Sequence, residues 1–444
     1  MVTRTSPSND EEPNSDSSAS RRPTRRILIR SGALVALVCV VTAASLFVAG
    51  RIPGGSMDVA WETPADVWAI DEGDRERPDA GDGSWLAGDI LVQSGHNGAT
   101  GQDAGTGRKV WEYRSPGTSK ICAAEADVEY SVLVVTRDDE NRPASAKWEL
   151  CTTLAGVDMK SGREIWRTPV PAAPREKRPG DDKRARVAAG AGLTVLAHQE
   201  LRAIDTGTGA PRWTAALPPH CVPAIARPAV RYVGALLACD GTKKEPNGIA
   251  DDAELHAAAF DPATGALLWS TPIGDREPAT WRSGSVRLFS ADPLVVGTLE
   301  DTYSFNSDGR PNPPLGGTWS NSLSVVDGTM FYTTVLTGGG VGSGRKKSPY
   351  RESVLAHDLT TGRMVWRSDL DFDIHALHLR DGRLTVVGED RALHLYAAPK
   401  LYLLDAATGK ERDVRRFHYG EVPVGEAFEY KDLLIVGGRA YERS

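Results

Sequence analysis

Few residues in this chain have the types and spacing to do chemistry. His375 and His378 stand close to His394 in sequence, and three imidazoles would suit a metal ion. On a strand, however, residues three apart point to opposite sides, so the first two do not converge and no metal site is assigned. The run Gly338-Gly-Gly-Val-Gly-Ser-Gly344 has the composition of a phosphate-cradling loop. It neither follows a Rossmann-type strand nor opens a helix, and reads as a flexible loop. Asp and Glu are abundant, yet no spacing singles out an acid–base pair. A zinc quartet and a nucleophile elbow are both missing from the sequence. No catalytic or cofactor-binding residue is assigned, and no cofactor is expected.

The cysteines are more informative. Of five, Cys39 falls in an apolar run, and Cys122, Cys151, Cys221 and Cys239 make an even set. Cys122 with Cys151, and Cys221 with Cys239, each fall inside one repeat of the chain, so pairing within a repeat is the simplest of the three connectivities; four free thiols is the alternative. Disulfides persist in oxidising compartments, which would place this part of the chain outside the cytoplasm.

The elements that carry these residues are set by a repeat. The wording D-x-x-[ST]-G-x-x-x-W occurs at Asp103, Gly107 and Trp111; at Asp158, Gly162 and Trp166; at Asp205, Gly209 and Trp213; at Asp261, Gly265 and Trp269; and at Asp358, Gly362 and Trp366. Asp405 and Gly409 keep the turn, but Asp413 stands where Trp is due. The gap between Asp261 and Asp358 is about twice the others, and the degenerate copy Tyr303-Ser-Phe-Asn306-Ser-Asp308-Gly309 fills it. A period of about 50 residues signals a repeat architecture. Each unit is written in short β-branched runs such as Leu193–Ala197, Leu384–Val387 and Leu433–Val436, and four strands with tight turns fill one propeller blade. In the motif, Asp accepts backbone N–H groups across the turn, Gly takes the positive φ, and Trp fills the wedge to the next blade.

Seven such units are countable, and Asp58-Val-Ala-Trp61 reads as an eighth outer strand without a motif before it. Three C-terminal runs, Val424–Phe428, Leu433–Val436 and Arg439–Arg443, lack a fourth. The expectation is an all-β, eight-bladed β-propeller of four-stranded antiparallel blades over residues 57–444. The N-terminal strand near Trp61 would close it against the C-terminal strands and remove an open edge; seven blades with a loose start is the competing count.

Residues 1–26 are polar and should be a disordered cytoplasmic tail. Ser31–Ala49 carries no charge over 19 residues, about 28 Å as a helix, close to a bilayer's hydrocarbon thickness. Residues 27–50 are therefore expected to be a single transmembrane helix, followed by a linker at 51–56. Arg21, Arg22, Arg25, Arg26 and Arg30 keep the N-terminus inside and send the rest across the membrane. Thr24-Arg25-Arg26 also resembles a twin-arginine export signal, whose cleavage would release the propeller. Val38 before Cys39 argues against a lipoprotein site.

The repeats resemble those of the pyrroloquinoline-quinone-like repeat propellers, a family that includes quinoprotein alcohol dehydrogenases, an outer-membrane assembly lipoprotein and extracytoplasmic sensors. The resemblance implies the fold and leaves function open. Its enzymes hold their cofactor beneath a vicinal Cys–Cys disulfide, with a calcium ion nearby; no two cysteines are adjacent here. Net charge is −7, so nothing argues for nucleic acid. The long insertions, Glu62–Asp82, Arg137–Lys147, Pro171–Arg184, Asp240–Asp252 and Thr337–Tyr350, fall between strands D and A or B and C. They share one face, which is the expected surface for a protein or cell-envelope partner. The expected function is non-catalytic binding by a membrane-anchored, extracytoplasmic propeller; a quinoprotein oxidoreductase and a sensor domain are the alternatives.

Overall fold

The computed structural model describes residues 56–63, 83–138, 151–170, 186–241, 253–273, 286–298, 301–315, 323–337, 351–370, 373–389, 399–417 and 426–442. The chain separates into two units, 1–53 and 54–444. The first lies wholly outside the described residues, as do the expected tail and transmembrane helix. No helix among the described residues is long and apolar enough to cross a membrane.

Eight antiparallel sheets follow one another along the second unit. Blade 1 runs from Gly83 to Arg114, blade 2 from Ile121 to Pro169, blade 3 from Arg186 to Thr214 and blade 4 from Cys221 to Pro272. Blade 5 spans Arg287–Phe305, blade 6 Ser324–Leu370, blade 7 Asp373–Phe417 and blade 8 Ala427–Glu442. In blades 1–4 and 6 the strands pair as a simple A-B-C-D meander. The eight-bladed count therefore stands. Blade 8 is completed by Val59–Glu62, which pairs antiparallel with its last strand, Trp61 opposite Ala440 and Glu62 opposite Arg439.

Two details depart from the sequence reading, and a third expectation falls partly outside the described residues. Blade 5 has three strands, its outer strand reduced to a bridge between Phe305 and Pro311. Of the expected run Val424–Phe428, Ala427 and Phe428 lie in the first described strand of blade 8, Ala427–Tyr430, while Val424 and Gly425 lie outside the described residues. Ser56 and Met57, expected as linker and domain start, form a fifth strand on blade 7, parallel to Arg416 and Phe417.

The repeat motif behaves as its residue types require. In blade 6 the Asp358 carboxylate accepts N–H bonds from Thr360 at 2.9 Å and Thr361 at 2.8 Å, and the Thr361 hydroxyl at 3.1 Å. Asp158, Asp205, Asp261 and Asp405 accept from their own Ser161, Thr208, Thr264 and Thr408 in the same way. Backbone N–H donation from Thr361 holds the Asp358 carboxyl below the ordinary carboxylate range. The motif glycine then turns with positive φ, for example Gly162 at 70°.

The motif tryptophans do two jobs at once. Trp111, on the outer strand of blade 1, lays its ring over Gly162 of blade 2, where a Cβ would meet ring carbon at 2.5 Å. Its indole N–H donates to the Met159 carbonyl at 2.8 Å. The pattern repeats around the ring: Trp166 to Thr206, Trp213 to Pro262, Trp269 to Ser307, Trp366 to Ala406, and Trp61 to Ala104, always the residue after the motif Asp or its Asn306 substitute. Each donor sits in one blade and each acceptor in the next, so these bonds hold neighbouring sheets in register.

Every described outer strand of four-stranded geometry also skips one residue of register just before the Trp position: Ala60, Val110, Ile165, Arg212, Leu268, Val365 and Arg412. Such a bulge re-aims the next side chain, here swinging the indole towards the following blade. The skipped residue faces outward, which explains why Val110, Ile165, Leu268 and Val365 are exposed aliphatics.

Candidate functional site

Two regions can do more than hold the ring together. One is the face that bears the long insertions; the other is the ring axis, which the innermost strands face.

The insertions themselves lie mostly outside the described residues, but the roots of two are in view. In blade 2, Arg137 and Asp138 precede the insertion and Cys151 follows it. Cys151 is bonded to Cys122 at the start of the innermost strand. Thr152 N–H donates to the Arg137 carbonyl at 3.0 Å, Asp138 N–H donates to the Lys120 carbonyl at 3.1 Å, and Lys120 N–H returns a bond to the Asp138 carboxylate. In blade 4, Cys239 precedes the insertion and is bonded to Cys221, its direct cross-strand neighbour. Asp240 N–H donates to the His220 carbonyl at 3.0 Å. Both expected within-repeat disulfides are therefore present, and both join the start of an innermost strand to the root of a B–C insertion. No such cross-link was legible at the blade 6 insertion, which carries no cysteine; there Thr337 simply pairs with Arg351.

Arg137 is fully buried, an unusual place for a guanidinium. Its Nη2 lies 3.9 Å from the Glu164 carboxylate, which also accepts the Tyr113 hydroxyl of blade 1 at 3.1 Å. Burial, with the Glu164 charge second, pushes the Tyr113 phenol up to about 12. This charged contact is therefore a brace between blades 1 and 2, made of groups already spent on one another.

On the axis side, Glu125 of blade 2, Arg227 of blade 4 and Glu426 at the start of blade 8 act on one another electrostatically. Burial pushes Glu125 up, with Arg227 opposing it. Glu426 keeps solvent contact, but desolvation by the surrounding protein, then the Glu125 charge, pushes it up to about 6, again against Arg227. Blade 2 lies two blades from each of blades 4 and 8, which lie opposite one another, so nothing in sequence spacing could show that these three groups meet. The only hint was that Glu125 and Arg227 lie on a strand A and Glu426 directly before one, where opposite repeats face one another.

The histidine reading needs a correction in its premise. Ile374 pairs with Gly388 and Ala376 with Val387, so His375 is itself a bulge residue and the simple alternation between His375 and His378 does not hold. Among the described residues no three His, Cys, Asp or Glu side chains converge to hold a metal ion; His394 and Gly338–Gly344 lie outside them. The motif residues Asp103, Asp158, Asp205, Asp261, Asp358 and Asp405 all sit on the turns of the opposite face, their carboxylates engaged by their own loops. The quinone site implied by the resemblance is not fitted by these residues. Its vicinal cystine has no counterpart, since the two disulfides join residues 29 and 18 apart.

Residues 40–219, through blade 3, match the family model described as outer membrane protein assembly factor BamB. No curated protein matches the chain. Among solved structures, the computationally designed Ika8 protein aligns at a TM-score of 0.51 and 13% identity, over 83% of this chain and 96% of that one. BamB from Moraxella catarrhalis aligns at 0.47 and 14% identity, over 82% and 94%. A europium-containing methanol dehydrogenase aligns at 0.49 and 12%, over 86% and 84%. With the motif turn in six blades and the family match over residues 40–219, the chain is an eight-bladed propeller whose repeats are similar to those of the pyrroloquinoline-quinone-like propellers.

Proposed function

We propose that this chain is a single-pass membrane protein whose propeller stands outside the cytoplasm and binds a protein or cell-envelope ligand on its insertion-bearing face, without chemical turnover. The observation that carries this reading is the placement of both disulfides at the roots of insertions on one face. Disulfides belong to oxidising compartments, and cross-linking a loop root to an innermost strand gives an insertion a rigid base, as binding loops on scaffolds need. The uncharged run Ser31–Ala49 with arginines before it supplies the anchor and its orientation. The similarity of residues 40–219 to an outer-membrane assembly factor adds weight to a protein partner over a small substrate.

The test uses the full chain in membranes. Shortening the insertion at Asp240–Asp252, with Cys239 kept, is expected to remove a cross-linked partner that the intact chain retains. An unchanged partner set in the shortened chain, still membrane-bound and oxidised, would refute this face. Release of the intact chain by an alkaline carbonate wash would instead refute the anchor.

A further inference from the structure

One segment of the ring is built unlike the rest. Every other outer strand of a four-stranded blade continues from its own third strand through a tight turn, but the outer strand of blade 8 arrives from the far end of the chain. Ser56–Thr63 is joined to blade 1 only through residues 64–82, and in eight residues it touches three blades. Ser56 and Met57 lie parallel to Arg416 and Phe417 of blade 7. Val59–Glu62 pairs with Arg439–Tyr441 of blade 8, and the Glu62 carboxylate accepts from Arg439 at 2.6 Å. Trp61 covers Gly107 of blade 1 and donates to the Ala104 carbonyl at 3.1 Å. Thr63 N–H donates to the Gly438 carbonyl at 2.8 Å, and its hydroxyl to Gln102 Oε1 at 3.0 Å.

The slot that receives it is written entirely by other parts of the chain. A polar edge is offered by Arg439–Glu442, a flat glycine platform by Gly107, and an apolar pocket for Met57 by Leu401, Phe417, Leu434, Val436 and Tyr441. Main-chain pairing supplies affinity, and the two side chains four residues apart, Met57 and Trp61, supply selectivity, which is how strand addition recognises peptides.

We infer that Ser56–Thr63 is a separable guest strand, and that the remaining ring is a specific acceptor for this same segment from a second copy of the chain. Two copies can then exchange their closing strands reciprocally, each ring completed by the other's N-terminal segment. Exchange of an identical element costs little because every contact in the open pair is one already made in the closed monomer.

The experiment places a protease site within residues 64–82 of the full chain and cuts it after folding. The N-terminal fragment is expected to stay with the ring on native size exclusion, and to be displaced by a fluorescent peptide of residues 55–66, read as a saturable rise in anisotropy. A Trp61→Ala peptide should bind roughly tenfold more weakly or worse, as loss of a buried aromatic anchor does, whereas a Val59→Ser peptide, altered at an exposed position, should bind like the parent. The inference is overturned if the cut ring loses its β-sheet circular dichroism, if it stays folded but takes up no peptide, or if the Trp61→Ala peptide binds as well as the parent. Two differently tagged full chains, mixed at high concentration in mild denaturant and returned to buffer, should co-purify; failure to do so after peptide exchange has succeeded would overturn the second-copy step alone.

Discussion

The junction between blades 1 and 2 and the junction between blades 7 and 8 meet the same packing demand with different parts. Between blades 1 and 2, one indole covers Gly162 and donates to the Met159 carbonyl. Between blades 7 and 8 the Trp position is Asp413, and blade 8 offers no motif loop to receive an indole. Its outer strand is Val59–Glu62, which enters without a C–D turn, and the two-residue turn Gly437-Gly438 joins its second and third strands, both glycines with positive φ as a type I′ turn requires. The wedge is filled instead by Met57, fully buried, and by Phe417 against Tyr441, ring centroids 4.5 Å apart at 70°. Nearby, the buried Glu429 of blade 8 lies 3.8 Å from Arg380 and 3.6 Å from Arg383 of blade 7, and its carbonyl accepts from Arg380 at 2.9 Å. A third solution joins blades 5 and 6, where the Ser304 hydroxyl donates to the Leu359 carbonyl at 2.9 Å while Pro313 and Pro314 lie over Gly362. The indole's two duties have there been divided between two residues. What the comparison teaches is that the ring needs a cover and a donor at each junction, and that a single Trp is the compact way to supply both.

The difference can be broken from the locked side first. Trp111→Ala should cost about 3–5 kcal/mol, the usual loss for a large buried aromatic, seen as a lower denaturant midpoint. Gly162→Ala comes next: about 1–2 kcal/mol for a side chain at positive φ plus about 1–3 kcal/mol for overpacking against the Trp111 ring. Gly382→Ala, in a turn of blade 7 with similar φ and open space around it, should lose only the first of these; equal losses at the two glycines would remove the indole cover from the account. Met57→Ala should fall at the lower end of about 2–5 kcal/mol, and a loss as large as that of Trp111→Ala would mean the seam is locked as firmly as the rest.

The smallest effect is in pH. The motif carboxyls of Asp261, Asp358 and Asp405 are held below their ordinary values, by the Thr264 hydroxyl, the Thr361 N–H and Arg412 in turn. The stability they contribute is present above pH 4 and is lost as pH falls through their lowered values. Glu426, at the start of blade 8, behaves oppositely. The folded chain holds its proton up to about 6 while the unfolded chain releases it near 4.5, so its contribution declines as pH rises between those values. Glu426→Gln should flatten the melting-temperature profile between pH 4.5 and 6 and leave the acid limb below pH 4 unchanged. A profile in which the substitution changes nothing would mean that the Glu426 carboxyl is neither desolvated nor held near Glu125.

Much of this was legible because the repeat writes its own local rules. Asp, Ser or Thr, and Gly at fixed offsets are a turn wherever they occur, since the bonds they make are within four residues of one another. One signal went unused: the residue two before the motif Asp is Gly101, Gly156, Ala203, Ala259 and Ala356 wherever a Trp follows, and Leu403 where Asp413 replaces it. Those residues lie directly opposite the outer-strand position, Gly101 opposite Trp111 and Leu403 opposite Asp413. A small residue there makes room for an indole, and its loss marks the junction that lacks one. The bulge before each Trp, by contrast, leaves no trace in residue type, because the skipped residue faces solvent and Val, Leu, Ile, Ala and Arg all serve.

Read alone, the sequence carried the turn chemistry and favoured eight blades and within-repeat disulfides, because these rest on residues near one another in the chain or on a spacing that repeats; the closing strand at Trp61 was legible only as the piece that the C-terminal runs lacked. Only the tertiary structure decided which carbonyl each indole meets, that Met57 fills the seam, and that Glu125, Arg227 and Glu426 sense one another. Those contacts join residues from different blades, and ring closure, a property of the whole chain, is what brings them together.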